Sequence, residues 1–302
     1  MSNLTLNQRT KIRTSSSDMI LKAFIYISII IVALLCFIPF WIVFINSFAS
    51  EGAIMQNGFT LIPSKFSLDA YKFILRGAQV WRSYGITIFV TVVGTALAVM
   101  VSTMLAYLIA SPKVKYRNVI GFMTYFTMIF GSGLVGFYIM IASWLNLKDN
   151  ILAMILPYVV NPFYVFILVS FFRDLPQELS ESAMIDGAND MITFFKIALP
   201  VSKPVIATVS LFYALVYWND WWLALLFMDD YKKHPLQMMI RKLMANVNMA
   251  QYVGGATNYG SIIPTMGIQL AIVCITIGPI ILLYPFVQKY FVKGIMIGSV
   301  KG

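Results

Sequence analysis

The chain has 302 residues, of which 60% are hydrophobic and 11% are charged, and its formal net charge is +10. Soluble domains are usually about 45–50% apolar and about one-quarter charged, so this composition excludes an ordinary water-soluble domain. A strongly basic soluble protein would suggest a nucleic acid partner, but here the basic residues lie between apolar runs, so we expect an integral protein of the lipid bilayer with no nucleic acid partner.

Six apolar runs follow one another along the chain, each long enough to cross a membrane. They cover residues 19–47, 84–110, 118–141, 151–172, 204–227 and 262–290. A hydrocarbon core about 30 Å thick needs about 20 residues of α-helix. We therefore expect an all-α membrane protein with six transmembrane helices in one domain, residues 19–290, between tails at 1–18 and 291–302.

Basic residues beside the first and second runs predict the orientation of the chain. Four Lys and Arg residues lie in residues 1–22 and three lie in residues 111–117, and the positive-inside rule assigns such segments to the cytoplasm. Both termini are then cytoplasmic, and the long connections 48–83 and 228–261 lie outside. These two loops could dock a partner or could be mobile connections without one.

Residues 173–203, between the fourth and fifth runs, carry charges of both signs and predict two short helices. Pro176 suits the first turn of a helix and Gly187 its C-terminal end. Asn189 can cap a second helix, which Pro200 should end. The segment is either a docking element for a cytosolic partner or an amphipathic hairpin that only links two spans.

The sequence ESAMIDGANDMITFFKIALPVSKP in this segment resembles the EAA loop of ABC importer permeases, whose pattern is Glu-Ala-Ala, three residues, Gly, and later Ile-x-x-Pro. Ser182 stands where the family usually has alanine. The matching positions are Glu181, Ala183, Asp186, Gly187, Ala188, Ile197 and Pro200.

Other stretches resemble carbohydrate-importing members of the same family. Residues 284–302 are similar to the C-terminus of maltose-type permeases, residues 217–227 to the Trp-Asn element of the fifth span, and residues 66–75 to the first outside loop. Residues 130–140 resemble a subgroup with a Gly-Gly-Leu-Ile-Pro run, associated with complex or acidic oligosaccharides, although Ser132 and Gly136 replace a glycine and the proline.

The resemblance implies the type I ABC importer permease fold in a multi-pass protein of the bacterial cytoplasmic membrane. It implies a non-catalytic subunit that works with an ABC ATPase dimer, a second homologous permease and an extracytoplasmic solute-binding protein to import an oligosaccharide. The chain should bind no cofactor itself, with ATP and Mg²⁺ on the ATPase, and no GxxxxGK[ST] phosphate loop occurs in it. The alternatives are a permease for a peptide or another small solute, or an ATP-independent carrier or channel.

The resemblance also implies roles for residues at the cytoplasmic side. Glu181 would anchor the segment in the ATPase, Gly187 would form the elbow between its helices, and Ala183 and Ala188 would allow close approach, with Ser182, Asp186 and Pro200 in the same motif. The tail formed by Val300, Lys301 and Gly302 would reach the ATPase dimer interface.

Asp220 is the one acid predicted inside a span, toward the outer end of the fifth. A charged residue within a membrane is costly and needs a structural or functional reason. Trp218, Trp221 and Trp222 could form an aromatic belt at the interface. Alternatively, Trp218, Asn219, Asp220 and Trp221 could form an outer gate that binds sugar rings and hydroxyls. His234 is expected to be solvated and without a role.

Overall fold

The computed structural model describes residues 16–176, 178–185, 187–252, 266–279 and 281. In this part of the chain the regular secondary structure is helical, apart from one isolated antiparallel bridge between Ala49 and Phe66. This agrees with the predicted all-α fold.

Two helices are long and apolar enough to cross a membrane without a break. Helix α1 covers Ser16–Asn46 and helix α4 covers Ala78–Ala110. The apolar stretch of α1 is not buried within this chain, whereas α4 packs along the helices of the fourth and fifth predicted spans. Helix α4 is therefore the centre of the bundle, and α1 lies at its edge.

The third and fourth predicted spans are each broken into two helices. The third folds as α5, Arg117–Ile129, followed by α6, Gly133–Ile139, which continues into a π-helical turn, and its halves are bent by 115°. The fourth folds as α7, Leu152–Ile155, and α8, Pro162–Arg173, with a 47° bend.

Residue type explains both breaks. Gly133 has a φ of 70°, in the region that favours glycine. Pro162 lacks an N–H and begins α8, where Asn161 caps the helix by accepting from the N–H groups of Phe163 and Tyr164. The two apolar runs were predicted as one helix each, and the structure divides each of them into two. If each bent pair counts as one span, the described residues contain up to five spans.

The coupling segment, residues 173–203, contains three short helices. Helix α9 is Glu178–Ile185, α10 is Asp190–Thr193, and α11, Leu199–Val201, follows a π-helical turn. Helix α12, Lys203–Asn219, begins after an 82° bend. It carries the first part of the predicted fifth span.

The predicted fifth span ends in a second helix, α13, Trp222–Phe227. Helix α15, Met266–Pro279, falls within the predicted sixth span, residues 262–290, of which part lies outside the described residues. The count of six spans stays a prediction.

Both long connections contain helices. Residues 48–83 include α2, Glu51–Asn57, and α3, Asp69–Arg76, while residues 228–261 include α14, Leu236–Tyr252. We call α2, α3, α14 and the connections beside them, residues 145–151 and 228–235, the cap. The cap lies at the end of the bundle opposite the coupling segment.

Two hydrophobic clusters hold the chain together. The larger one runs along α4, α8 and α12, and its centre includes Tyr213 and Tyr217, both almost fully buried. The Tyr213 hydroxyl lies 2.6 Å from Ser102 Oγ, and the Tyr217 hydroxyl donates to the Ile155 carbonyl at 2.9 Å. The smaller cluster joins α3 and α14 of the cap to α15.

Candidate functional site

The first helix of the coupling segment ends in a Schellman motif. Gly187 has a φ of 80°, its N–H donates to the Met184 carbonyl at 3.0 Å, and the Ala188 N–H donates to the Ala183 carbonyl at 2.9 Å. These two bonds satisfy carbonyls that the helix end would otherwise leave unpaired. The expected glycine elbow is therefore present.

The second helix starts where the sequence predicted. Asn189 Oδ1 accepts from the Ile192 N–H at 2.8 Å, the bond of a helix N-cap. The predicted end at Pro200 is one residue early, because α11 runs to Val201. A π-helical turn at Phe194–Ala198 precedes Pro200, and the sharp bend follows directly after Val201.

One face of the coupling segment rests on the bundle and another is exposed. Ala183 and Phe194 are buried, and the Phe194 ring lies 5.1 Å from that of Tyr107 on α4. On the open side, Ile185 is 88% exposed and Met191 is 56% exposed. These two apolar side chains are therefore free, within this chain, to contact a partner.

A cavity of about 630 Å³ lies between the coupling segment and the nearby ends of α4 and α8. Glu181 and Asp190 line it from the segment, and Lys113, Arg117 and Arg173 line it from the bundle. Its charges are thus of both signs: the acids lie on α9 and α10, and the cations lie at the end of α8, at the start of α5 and in the connection before α5.

Not every predicted coupling residue can be located. Ser182 is exposed on α9, where its hydroxyl donates to the Leu179 carbonyl at 3.2 Å. Asp186 and the tail residues Val300, Lys301 and Gly302 lie outside the described residues.

A second candidate group lies where α12 gives way to α13. Asp220 stands at this break, and its Oδ1 accepts from the Tyr158 hydroxyl at 3.0 Å. Its Oδ2 is buried and has no hydrogen-bond partner among the described residues. The acid is therefore held within the bundle by Tyr158 of the fourth span, which the sequence did not predict.

The four residues predicted for an outer gate are adjacent in sequence but point to different neighbours. Trp218 is buried, and its Nε1 donates to the Thr276 carbonyl of α15 at 3.4 Å. Asn219 and Trp221 instead face α14. The Gln237 amide donates to Asn219 Oδ1 at 3.4 Å, and the Arg241 guanidinium lies 3.3 Å from the centre of the Trp221 ring.

The exposure of the three tryptophans tests whether they can form an aromatic belt at the membrane interface. Of the three tryptophans, Trp218 is buried, Trp221 is half-buried beneath Arg241, and Trp222 is 39% exposed. Only Trp222 thus has the exposure within this chain that a row of interfacial tryptophans requires.

His234 corrects a sequence-based expectation. It is 2% exposed rather than solvated, and its Nε2 lies 3.1 Å from the Met228 carbonyl oxygen. Burial is the main cause that lowers the pKa of this imidazole below its usual value. An isolated His in a polar loop gave no signal of burial, because the covering residues come from the rest of the cap.

Three further sets of hydrogen bonds that hold the cap in place were not predicted. The Glu51 carboxylate accepts from the N–H groups of Met266 and Gly267, at 3.0 and 2.9 Å. Asp149 Oδ1 accepts from two backbone N–H groups, at Asp229 and Asp230. The third bond, from Leu236 N–H to Thr87 Oγ1, joins α14 to α4 at 2.8 Å.

Within the described part of the chain, no group of three or more His, Cys, Asp or Glu could hold a metal ion. The structure instead offers a mechanical arrangement. The coupling segment connects through one bend to α12, which ends at Asn219, directly before Asp220.

Comparisons with known proteins agree with this arrangement. Residues 98–297 match the family described as the binding-protein-dependent transport system inner membrane component. Protein LplC of Bacillus subtilis is 43% identical over 88% of this chain and 89% of its own length. The polygalacturonan/rhamnogalacturonan transport system permease protein YtcP of the same species is 40% identical over 92% of this chain and 97% of its own.

A solved structure is similar over nearly the full length. It is a bacterial ABC transporter involved in the import of the acidic polysaccharide alginate, and one of its chains has a TM-score of 0.82 and 32% identity, covering 92% of this chain and 98% of that one. The resemblance to ABC importer permeases is thus confirmed. The chain belongs to the family of inner membrane components of binding-protein-dependent transport systems and is a permease subunit of an ABC importer with the type I fold.

Proposed function

We propose that this chain carries an oligosaccharide across the bacterial cytoplasmic membrane, driven by ATP hydrolysis on a separate subunit. The proposal is supported by two relatives, one named as a polygalacturonan/rhamnogalacturonan transport permease and the other a chain of an importer of alginate. Its partners are an ABC ATPase dimer that holds ATP and Mg²⁺, a second homologous permease and an extracytoplasmic solute-binding protein. The chain itself is non-catalytic and binds no cofactor.

The observation that carries the proposal is the coupling segment with its exposed apolar side. Ile185, Met191 and Phe195 are exposed on short helices whose shape is fixed by the Gly187 elbow and the Asn189 cap. A partner that moves these helices would act on α12 through one bend. The ATPase is the partner for which such a lever is needed.

In this proposal each residue of the EAA-type motif has a role in transmitting the movement of the ATPase to α12. Glu181 lies at the cavity beside the exposed helix and would pair with the ATPase, while Ala183 is buried against the bundle and keeps α9 close to it. Ser182 and Ala188 flank the buried face and the elbow. Asp186, Pro200 and the tail residues Val300, Lys301 and Gly302 keep the coupling roles that the family resemblance implies.

The orientation of the chain in the membrane follows from the proposed contact with the ATPase, which is in the cytosol. The coupling segment faces the cytosol, with both termini, and the cap faces outward, where the solute-binding protein docks. Lys113, Arg117 and Arg173 at the coupling end agree with the positive-inside rule.

Reconstitution into liposomes tests the proposal. Vesicles that contain this chain, the ATPase, the second permease and the binding protein should take up oligosaccharide when ATP is supplied on the ATPase side. Vesicles that contain this chain alone, or the other three proteins without it, should not. Substantial solute flux through the isolated chain would contradict the proposal and indicate a channel.

A further inference from the structure

The contact between Arg241 and Trp221 has the geometry of a binding site. The guanidinium carbon lies 3.3 Å from the ring centre, which places the guanidinium on the face of the indole. Arg241 is exposed, and among the described residues its charge has no carboxylate within salt-bridge distance. A planar cation held on a rigid ring, whose N–H groups have no hydrogen bond among the described residues, is arranged to receive an anion.

The neighbouring residues hold this pair in place. Gln237 and Arg241 are one turn apart on α14, and they contact Asn219 and Trp221 at the break in the fifth span. The apolar side of α14 is buried against α3 and α15 through Leu236 and neighbouring residues. The arginine is therefore presented by a helix that is fixed on one side by packing and on the other by the indole.

Guanidinium groups bind carboxylates through two parallel hydrogen bonds. A sugar unit that carries a carboxylate offers such an anion. We propose that Arg241, oriented by Trp221, binds the carboxylate of an acidic sugar unit as an oligosaccharide enters the permease. This inference rests on the proposed function and makes it more specific, because it names uronic-acid-containing oligosaccharides as the substrate class.

The names of two relatives agree with this class. Alginate is described as an acidic polysaccharide, and polygalacturonan is a polymer of galacturonic acid. Arg241 supplies a positive charge at the place where such a chain would reach the permease.

The test compares a galacturonic acid oligomer with its methyl ester, which has the same sugar units without the negative charge. Uptake is measured with the complete transporter in liposomes, so any preference of the binding protein affects every variant equally. Arg241→Gln should raise the KM for the acid by about 5- to 20-fold and leave the KM for the ester unchanged. Arg241→Lys should restore part of the loss, because a lysine keeps the charge but not the fork.

Lys242→Gln is the matched control, because it removes the same charge from the next residue, which faces His234 instead. It should leave both KM values unchanged. An equal effect of Arg241→Gln on acid and ester would overturn the inference and leave Arg241 a structural role. An equal acid-specific loss in Lys242→Gln would also overturn it, since the effect would then be one of overall charge.

The wild-type protein separates this inference from the proposed function. If it takes up a neutral oligosaccharide but not the acidic one, the inference fails and the proposed function stands. If it takes up no oligosaccharide at all, the proposed function fails and the inference fails with it.

Discussion

At the cap, side chains bond to backbone groups far away in sequence, whereas in the coupling segment most hydrogen bonds join residues a few positions apart. Glu51 reaches Gly267, and Thr87 reaches Leu236. In the coupling segment the shape is set by local bonds such as Asn189 to Ile192. The cap is thus fixed to several spans at once, while the coupling segment keeps its own shape and has few long-range side-chain bonds to the bundle.

This difference matters for a transporter. A segment with a fixed internal shape can move as one piece when a partner moves it, because its helices do not depend on the bundle for their caps. A cap tied to several spans instead moves only when those spans move. Substitutions at long-range contacts should therefore lower the free energy of unfolding, and substitutions in the coupling segment should lower the transport rate.

The largest loss of stability is expected at Gly94, in the middle of α4. A Cβ atom there would lie 2.7 Å from Tyr217 Cζ, and the Tyr217 ring is buried and held by its bond to the Ile155 carbonyl. Gly94→Val should lower the free energy of unfolding by about 1–3 kcal/mol. Thermal unfolding in detergent measures it. Gly85→Val on the same helix, where nothing lies within 4 Å, is the control and should change stability by less than about 0.5 kcal/mol.

A smaller loss is expected at Glu51, whose two carboxylate oxygens accept from the N–H groups of Met266 and Gly267. Glu51→Gln removes one of the two acceptor oxygens and the negative charge that strengthens both hydrogen bonds, so we expect the free energy of unfolding to fall by about 1–2 kcal/mol. Glu178→Gln, an exposed first-turn acid of α9 in the coupling segment, is the control. If Glu51→Gln and Glu178→Gln lower the thermal unfolding temperature equally, the contrast between the cap and the coupling segment is wrong.

The same contrast explains what the sequence could predict. The elbow at Gly187 and the cap at Asn189 depend on a few neighbouring residues, so turn and capping preferences located both. The contacts of Glu51, Tyr158 and Arg241 join residues from different helices, at least 20 positions apart in sequence, and nothing in one sequence pairs them. Breaks inside apolar runs were missed for a related reason, since hydropathy measures polarity and a bend at Gly133 leaves it unchanged.

The smallest effect concerns pH and His234, the one histidine of the chain. Because burial lowers its pKa in the folded state below 6.5, the unfolded chain takes up a proton first as the pH falls. The free energy of unfolding should therefore decrease as the pH falls below about 6.5. Thermal unfolding between pH 5 and 8 measures this slope. His234→Gln should flatten it, and an unchanged slope would show that other groups cause it.

The most direct test of the account is the coupling of ATP hydrolysis to transport in variants of Gly187. Its φ of 80° disfavours a β-branched residue but is tolerated by asparagine. Measured in the reconstituted complex, Gly187→Val should reach the membrane at wild-type abundance yet transport at least about tenfold more slowly, given a strain of about 1–3 kcal/mol. Gly187→Asn and the mild control Ala188→Ser should transport nearly as well as wild type. If Gly187→Val assembles with the ATPase and transports at the wild-type rate, the segment is a passive linker and the account is contradicted.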